Sequence, residues 1–273
     1  MKKLLLWSLS CALPLCLHAE ERPRWELGVG LAGLSLPDYR GSDERREYVL
    51  PVPYFVYRGE VLKADRDGAR AQLIGADSMH IDMGFGLSPP VSSEKNSARA
   101  GMPNRAGVVE IGPAFDALLY QNEDDRVKLR FRLPVTYGIT LNHDLGGNGW
   151  QASPKLSLNV RDVLGLGGWN AAIQSGPLWS SRQRHAYYYD VSPQYATANR
   201  PAYQARAGYA GMQFTAALSK RFDRVWLGVF TRYEDLHGAV FTDSPLVKTR
   251  NYLIGGLAVS WVLGQSSEMV TVD

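Results

Sequence analysis

Cysteine is almost missing from this chain: its two copies, Cys11 and Cys16, both lie in the opening stretch MKKLLLWSLSCALPLCLHA. That stretch sets Lys2 and Lys3 before an apolar run from Leu4 to Leu17 and ends on the small Ala19, the layout of a secretory signal cut before Glu20. Residues 1–19 are therefore expected to be removed, and residues 20–273 hold no thiol. Disulfides, zinc-thiolate sites and cysteine catalysis go with it. An excess of one charge is lacking too. Without Lys2 and Lys3, 28 basic residues face 27 acidic ones, a balance that offers nothing to attract nucleic acid. After the signal no apolar run reaches the roughly 20 residues that a membrane-spanning helix needs.

What the chain does have is alternation. In VKLRFRLPVTYGI, residues 127–139, the apolar Val127, Leu129, Phe131, Leu133, Val135, Tyr137 and Ile139 share one face of a strand. Lys128, Arg130 and Arg132 form a basic ladder on the other. WELGVGLAGL, MHIDMGFGL, PKLSLNVR and MQFTAALS repeat the scheme, each with one apolar face and one that is polar or glycine. Many segments run to ten residues or more, near the roughly 9 to 11 that a tilted strand needs to cross a bilayer. The expected fold is an all-β, transmembrane antiparallel outer-membrane β-barrel.

Strands are expected near 25–34, 48–57, 60–65, 69–75, 79–87, 107–120, 126–139, 150–161, 168–179, 209–220, 224–235 and 250–262, about twelve in all. The connections alternate long and short. In outer-membrane barrels the long ones face outside and the short ones the periplasm, which puts both termini and the polar tail 263–273 in the periplasm. Pro51, Pro53, Pro113, Pro134, Pro154 and Pro177 fall inside these strands, where a closed sheet has no edge to accept them, so bulges are expected there. Trp25, Trp150, Trp169, Trp179, Trp226 and Trp261 sit near strand ends, where indoles favour the membrane interface.

Signals for chemistry are thin. GVGLAG, with Gly28, Gly30 and Gly33, has the glycine spacing of a dinucleotide loop but lies within a strand with no helix after it. DRDG at Asp65 to Gly68 lacks the further acidic ligands of a calcium loop and reads as a turn. Ser78, His80 and Asp82 share a strand face, the elements of a hydrolase site, but that face is the lumen side, away from acyl chains. His143, His185 and His237 are scattered without metal-ligand spacing. No catalytic, cofactor or metal site is assigned. For Lys128, Arg130 and Arg132 the alternatives are an anion-attracting lumen and internal ion pairs to Glu26, Asp82, Glu110 or Asp116, with pairing favoured.

Several stretches together resemble the MipA/OmpV family of MltA-interacting outer-membrane proteins. They are PDYRGSDE, with Pro37, Asp38, Tyr39, Gly41, Ser42 and Asp43; LPVPYFVYRG; EIGP; YYYDVSPQYA; and DSPLV, with Asp243, Ser244 and Pro245. They run in order over nearly the whole chain after the signal. The resemblance implies an outer-membrane barrel and a scaffold between a murein lytic transglycosylase and a penicillin-binding protein; a monomeric, non-catalytic barrel in outer-membrane lipid is expected. A channel or a surface-exposed adhesion or stress protein is the alternative. Under the expected topology PDYRGSDE and DSPLV lie at the outer end, away from murein, and would fold into the lumen and plug it if the scaffold reading holds.

Overall fold

The computed structural model describes residues 20–58, 62–65, 68–76, 78–142 and 145–272; the expected signal lies outside them. In chain order the strands are β1 (Glu20–Pro23), β2 (Trp25–Pro37), β3 (Arg45–Arg58), β4 (Leu62–Asp65), β5 (Gly68–Ala76), β6 (Met79–Ser88), β7 (Val108–Gln121) and β8 (Val127–Thr140). There follow β9 (Gly147–Ala152), β10 (Lys155–Val160), β11 (Trp169–Ser180), β12 (Gly208–Phe222), β13 (Val225–Asp235), β14 (Asn251–Gln265) and β15 (Met269–Val272). One α-helix, α1 (Arg182–Tyr189), follows β11. Ser181 caps it by accepting a hydrogen bond from the Arg184 amide.

Every pairing is antiparallel between chain neighbours, from β2 to β3 and on to β14, which pairs back with β2 through Gly255↔Ser35 to Gln265↔Glu26. Strands β9 and β10 are two halves of one strand, broken at Ser153 and Pro154, and both lie between β8 and β11. Counted so, twelve strands carry the ring, as expected from the alternation.

The wall is incomplete in one place. Strand β3 meets β4 only through Tyr57↔Ala64 and Arg58↔Lys63, and β5 reaches along β6 only as far as Asp82. Among the described residues, β3 from Arg45 to Val56 therefore has a paired strand on its β2 side alone. This corrects the expectation for Pro51 and Pro53. Both stay in register with Leu31 and Val29 without a bulge. Two residues apart, they aim their ring nitrogens at the same edge, and an edge strand can present a proline on its unpaired side. Pro113 and Pro134 also leave their register unshifted; a shift follows Pro177, between Leu178 and Trp179, and Pro154 ends a strand.

Side-chain alternation sorts the two faces. On β2, Leu27, Val29 and Leu31 point outward and are about half exposed, whereas Glu26 on the opposite face is 1% exposed. Phe85, Leu87, Val135, Tyr137, Ile173, Phe214, Val229, Leu253 and Leu257 continue the outward belt. Trp150 and Trp179 point outward at the long-loop end, as Trp261 does near the other. Trp226 departs from the expected aromatic belt, because its indole turns inward and lies over Gly228. The tail is structured. Strand β14 runs on to Gln265, and Met269–Val272 then pairs with Glu20–Pro23 as a two-stranded ribbon, with Arg24 and Glu268 joined at 2.7 Å.

Candidate functional site in the plugged lumen

Among the described residues a buried apolar cluster lies at the long-loop end, where four connections fold onto one another. Tyr39 from the β2–β3 loop, Val91, Ala98 and Met102 from the β6–β7 loop, and Tyr189 and Val191 after β11 pack against Leu236, Phe241 and Leu246 from the β13–β14 loop. Leu236, Phe241 and Leu246 are fully buried. Phe241 stacks on Tyr189 with ring centroids 3.9 Å apart and planes 7° from parallel. Polar bonds tie the loops together. The Tyr39 hydroxyl donates to the Leu246 carbonyl at 2.8 Å, Ser244 to the Tyr189 carbonyl at 2.8 Å, and Tyr189 to the Arg40 carbonyl at 2.9 Å. Asn96 donates to Asp38 and to Ser42. Fully buried Arg99 donates to the Tyr188 carbonyl and the Ser93 hydroxyl, and burial pushes its guanidinium down to about 10.

The family-like loops meet here. Pro37, Asp38, Tyr39, Gly41, Ser42 and Ser244 are buried within the plug, while Asp43 and Asp243 stay exposed and Pro245 is half-buried. Gly41 has φ +88°, and a Cβ there would press on Val247 and Leu236. Its carbonyl accepts from the Lys248 and Thr249 amides, tying the first loop to the last.

Beneath the plug the inward face carries ion pairs. Arg130 meets Asp116 at 2.5 Å, and Arg132 meets Asp82 at 2.8 Å and Asp116 at 3.9 Å. Glu26 accepts from Tyr54 at 3.0 Å and from Arg221. Glu110 receives Arg184, carried down by α1, at 2.5 Å. Lys128 lies on the same β8 face as Arg130 and Arg132. The structure separates the supposed hydrolase trio: Ser78 is an exposed turn residue, and Asp82 on the lumen face is engaged by Arg132, with His80 3.9 Å away. Gly28 and Gly30 lie within β2 against the β14 backbone. Of DRDG, Asp65 and Gly68 pair across a hairpin, with residues 66 and 67 outside the described residues, as is His143.

Between plug and wall is a cavity of about 270 Å³. Its wall side includes Leu34 and Leu36 of β2, Phe230 and Arg232 of β13, and Tyr252 and Ile254 of β14, with Ser88, Gln151 and Ser180 from β6, β9 and β11; the plug contributes Tyr39, Arg40, Arg184, His185, Tyr188, Tyr189 and Phe241. At one side of it Glu234, fully buried, accepts two hydrogen bonds from Arg40 at 3.0 and 2.8 Å and one from Gln213 at 2.7 Å, with Arg232 Nε 2.9 Å away. Burial alone would pull the Arg40 guanidinium down, but Glu234 outweighs it and holds Arg40 above its ordinary range. His185 shares Nδ1 with the Arg206 carbonyl at 2.6 Å, and burial pushes its pKa down, so the ring is held neutral. Nothing in the sequence singled out Arg40, His185, Arg232 or Glu234: Arg232 and Glu234 alternate on one face of β13, but Arg40 and His185 come from two different loops far away in the chain.

The family described as MltA-interacting protein MipA matches residues 29–263. The chain belongs to that family. The outer membrane protein Omp26La of Vibrio anguillarum is 26% identical over 213 residues, 76% of each chain. OmpV of Vibrio cholerae is 25% identical over the same lengths and shares. Among solved structures, the NanC porin covers 87% of this chain and 100% of its own at 10% identity, with a TM-score of 0.42. This family member is an outer-membrane protein, so its outward apolar belt meets lipid and its inward charges meet the lumen.

Proposed function

We propose that this protein is a non-catalytic anchor in the outer membrane, holding a murein lytic transglycosylase and, with it, a penicillin-binding protein at the membrane's inner face. The observation that carries this reading is the plug. Loops with a hydrophobic core of their own occupy the long-loop end, an arrangement suited to a rigid body rather than to an open solute channel. The family's description as MltA-interacting supports the choice of partner. By the barrel convention the plug faces outside, and the short turns and the β1–β15 ribbon face the periplasm. The periplasmic surface then presents Glu123, Asp124 and Arg126 after β7, Arg161 after β10, Asp223 and Arg224 after β12, and the ribbon itself.

A photo-crosslinking residue placed at Asp124 or Asp223 tests this in native envelopes. A lytic transglycosylase is the expected adduct, and envelopes that yield no murein enzyme from either position overturn the reading. Planar-bilayer recording should show no steady unitary conductance; steady pores of defined size would replace the anchor by a channel.

A further inference from the structure

We propose that the cavity beneath the plug is a binding site for a small amphipathic monocarboxylate that carries a hydrogen-bond donor on its apolar body. The inference goes beyond the anchor reading and stands or falls separately from it. Charge is the first argument. The guanidiniums that line the cavity are Arg40, Arg184 and Arg232; Arg184 meets Glu110, while Arg40 and Arg232 both meet Glu234. Two cations thus share the single carboxylate of Glu234. Arg232 is the less committed of the two. Its Nε lies at ion-pair distance from Glu234 but makes no hydrogen bond, and its side chain keeps 36% of its accessibility. A second anion at this place would complete the pairing that Glu234 leaves unfinished.

The second argument is the set of unused polar atoms. The Tyr252 hydroxyl and His185 Nε2 are buried and line the cavity; His185 Nε2 has no hydrogen-bond partner, and the Tyr252 oxygen has beside it the Arg40 guanidinium, from which it can only accept, so its own proton is unused. A buried polar group without a partner is costly, so such atoms mark where a ligand would be welcome. With Nδ1 donating to the Arg206 carbonyl, Nε2 of the neutral ring is an acceptor, and it asks for an O–H or N–H on the ligand. Tyr252 has a proton to donate, which suits a carboxylate oxygen.

Shape is the third. Leu34, Phe230, Ile254 and Phe241 give one side of the lining an apolar, partly aromatic character, while Asp38, Ser88, Gln151 and Ser180 add polar groups elsewhere. Glycine at 256 lets two of these side chains converge, since a Cβ there would come within 2.6 Å of both Leu34 and Phe230. A cavity of about 150 Å³ holds benzene, and the space here takes a substituted ring.

The test is equilibrium binding to the purified full-length barrel in detergent, using 4-hydroxybenzoate, its neutral amide 4-hydroxybenzamide and the cation 4-hydroxybenzylamine. The acid is expected to bind saturably at one site, roughly tenfold or more tighter than the amide, with the amine weaker still. In Arg232→Gln the preference for acid over amide should fall to near unity while heat-modifiable migration on gels is kept. Since Arg232→Gln touches a buried ion pair, Leu34→Trp is made alongside; it fills the cavity without altering charge and should weaken acid and amide alike. Absence of saturable binding to the wild type, equal affinity for acid and amide, preference for the amine, or an Arg232→Gln or Leu34→Trp protein that binds the acid like wild type would each overturn the proposal.

Discussion

Phe241 and Val135 are both large apolar side chains of this protein, and they obey different solvents. Phe241 is fully buried and stacked on Tyr189, so truncation to alanine removes packing that the surrounding loops cannot recover. Phe241→Ala is expected to destabilise the plug by roughly 3 to 5 kcal/mol. Limited trypsin digestion checks this: cuts should appear in the long loops, at Arg182 or Arg206, while the barrel keeps its heat-modifiable migration. Val135 is 40% exposed on the outward face of β8, and what touches it is lipid. Val135→Arg is expected to cost roughly 2 to 4 kcal/mol if the position lies near the midplane, read as a shifted denaturant midpoint for folding into vesicles. The alternation made Val135 legible as a lipid-facing residue from its neighbours alone. Phe241 gave no such sign, since its burial depends on Tyr189, 52 positions earlier in the chain.

Among the elements, α1 shows how a short helix in a long loop positions chemistry. Ser181 caps it, Arg184 reaches Glu110 on β7, and His185 turns to the Arg206 carbonyl and the Phe241 ring at 4.8 Å. Burial lowers the His185 pKa, the carbonyl opposes this, and nearby Arg40 and Arg184 add to the lowering. The sign follows. The folded state holds a neutral ring, the unfolded chain takes up a proton near its ordinary value of about 6.5, and stability is present above that value and lost as pH falls through it. Hydrogen-exchange protection of the residues around α1, taken relative to the intrinsic exchange rate at each pH, should therefore fall as pH drops from about 7.5 to 5. In His185→Gln that dependence should flatten, and an unchanged profile would assign it to another group. The pair β4 and β5 makes the opposite point. Both were expected as short strands; β4 has four residues and β5 nine. That among the described residues they leave β3 unpaired on one side, and so admit Pro51 and Pro53 there, became visible only with the neighbours in place.

For the whole molecule, strand number, antiparallel order and the outward apolar belt follow from a period of two and from the turn spacing. Those signals are local, and a residue's face is set by its parity along its own strand. The polar bonds of the lumen are of another kind. Arg132 could have met any inward acid, and it is the register of β6, β7 and β8 that brings Asp82 and Asp116 to it. The convergence of PDYRGSDE, YYYDVSPQYA and DSPLV in one plug, and the cavity they leave with β2, β13 and β14, were likewise decided in three dimensions. Loop sequences carry no period, and their contacts span gaps such as that from Tyr39 to Leu246. The chain's own pattern thus determined a lipid-facing barrel. Which charges pair, where the loops pack and whether a cavity survives between them were settled by tertiary structure, because these depend on distances between residues far apart in sequence.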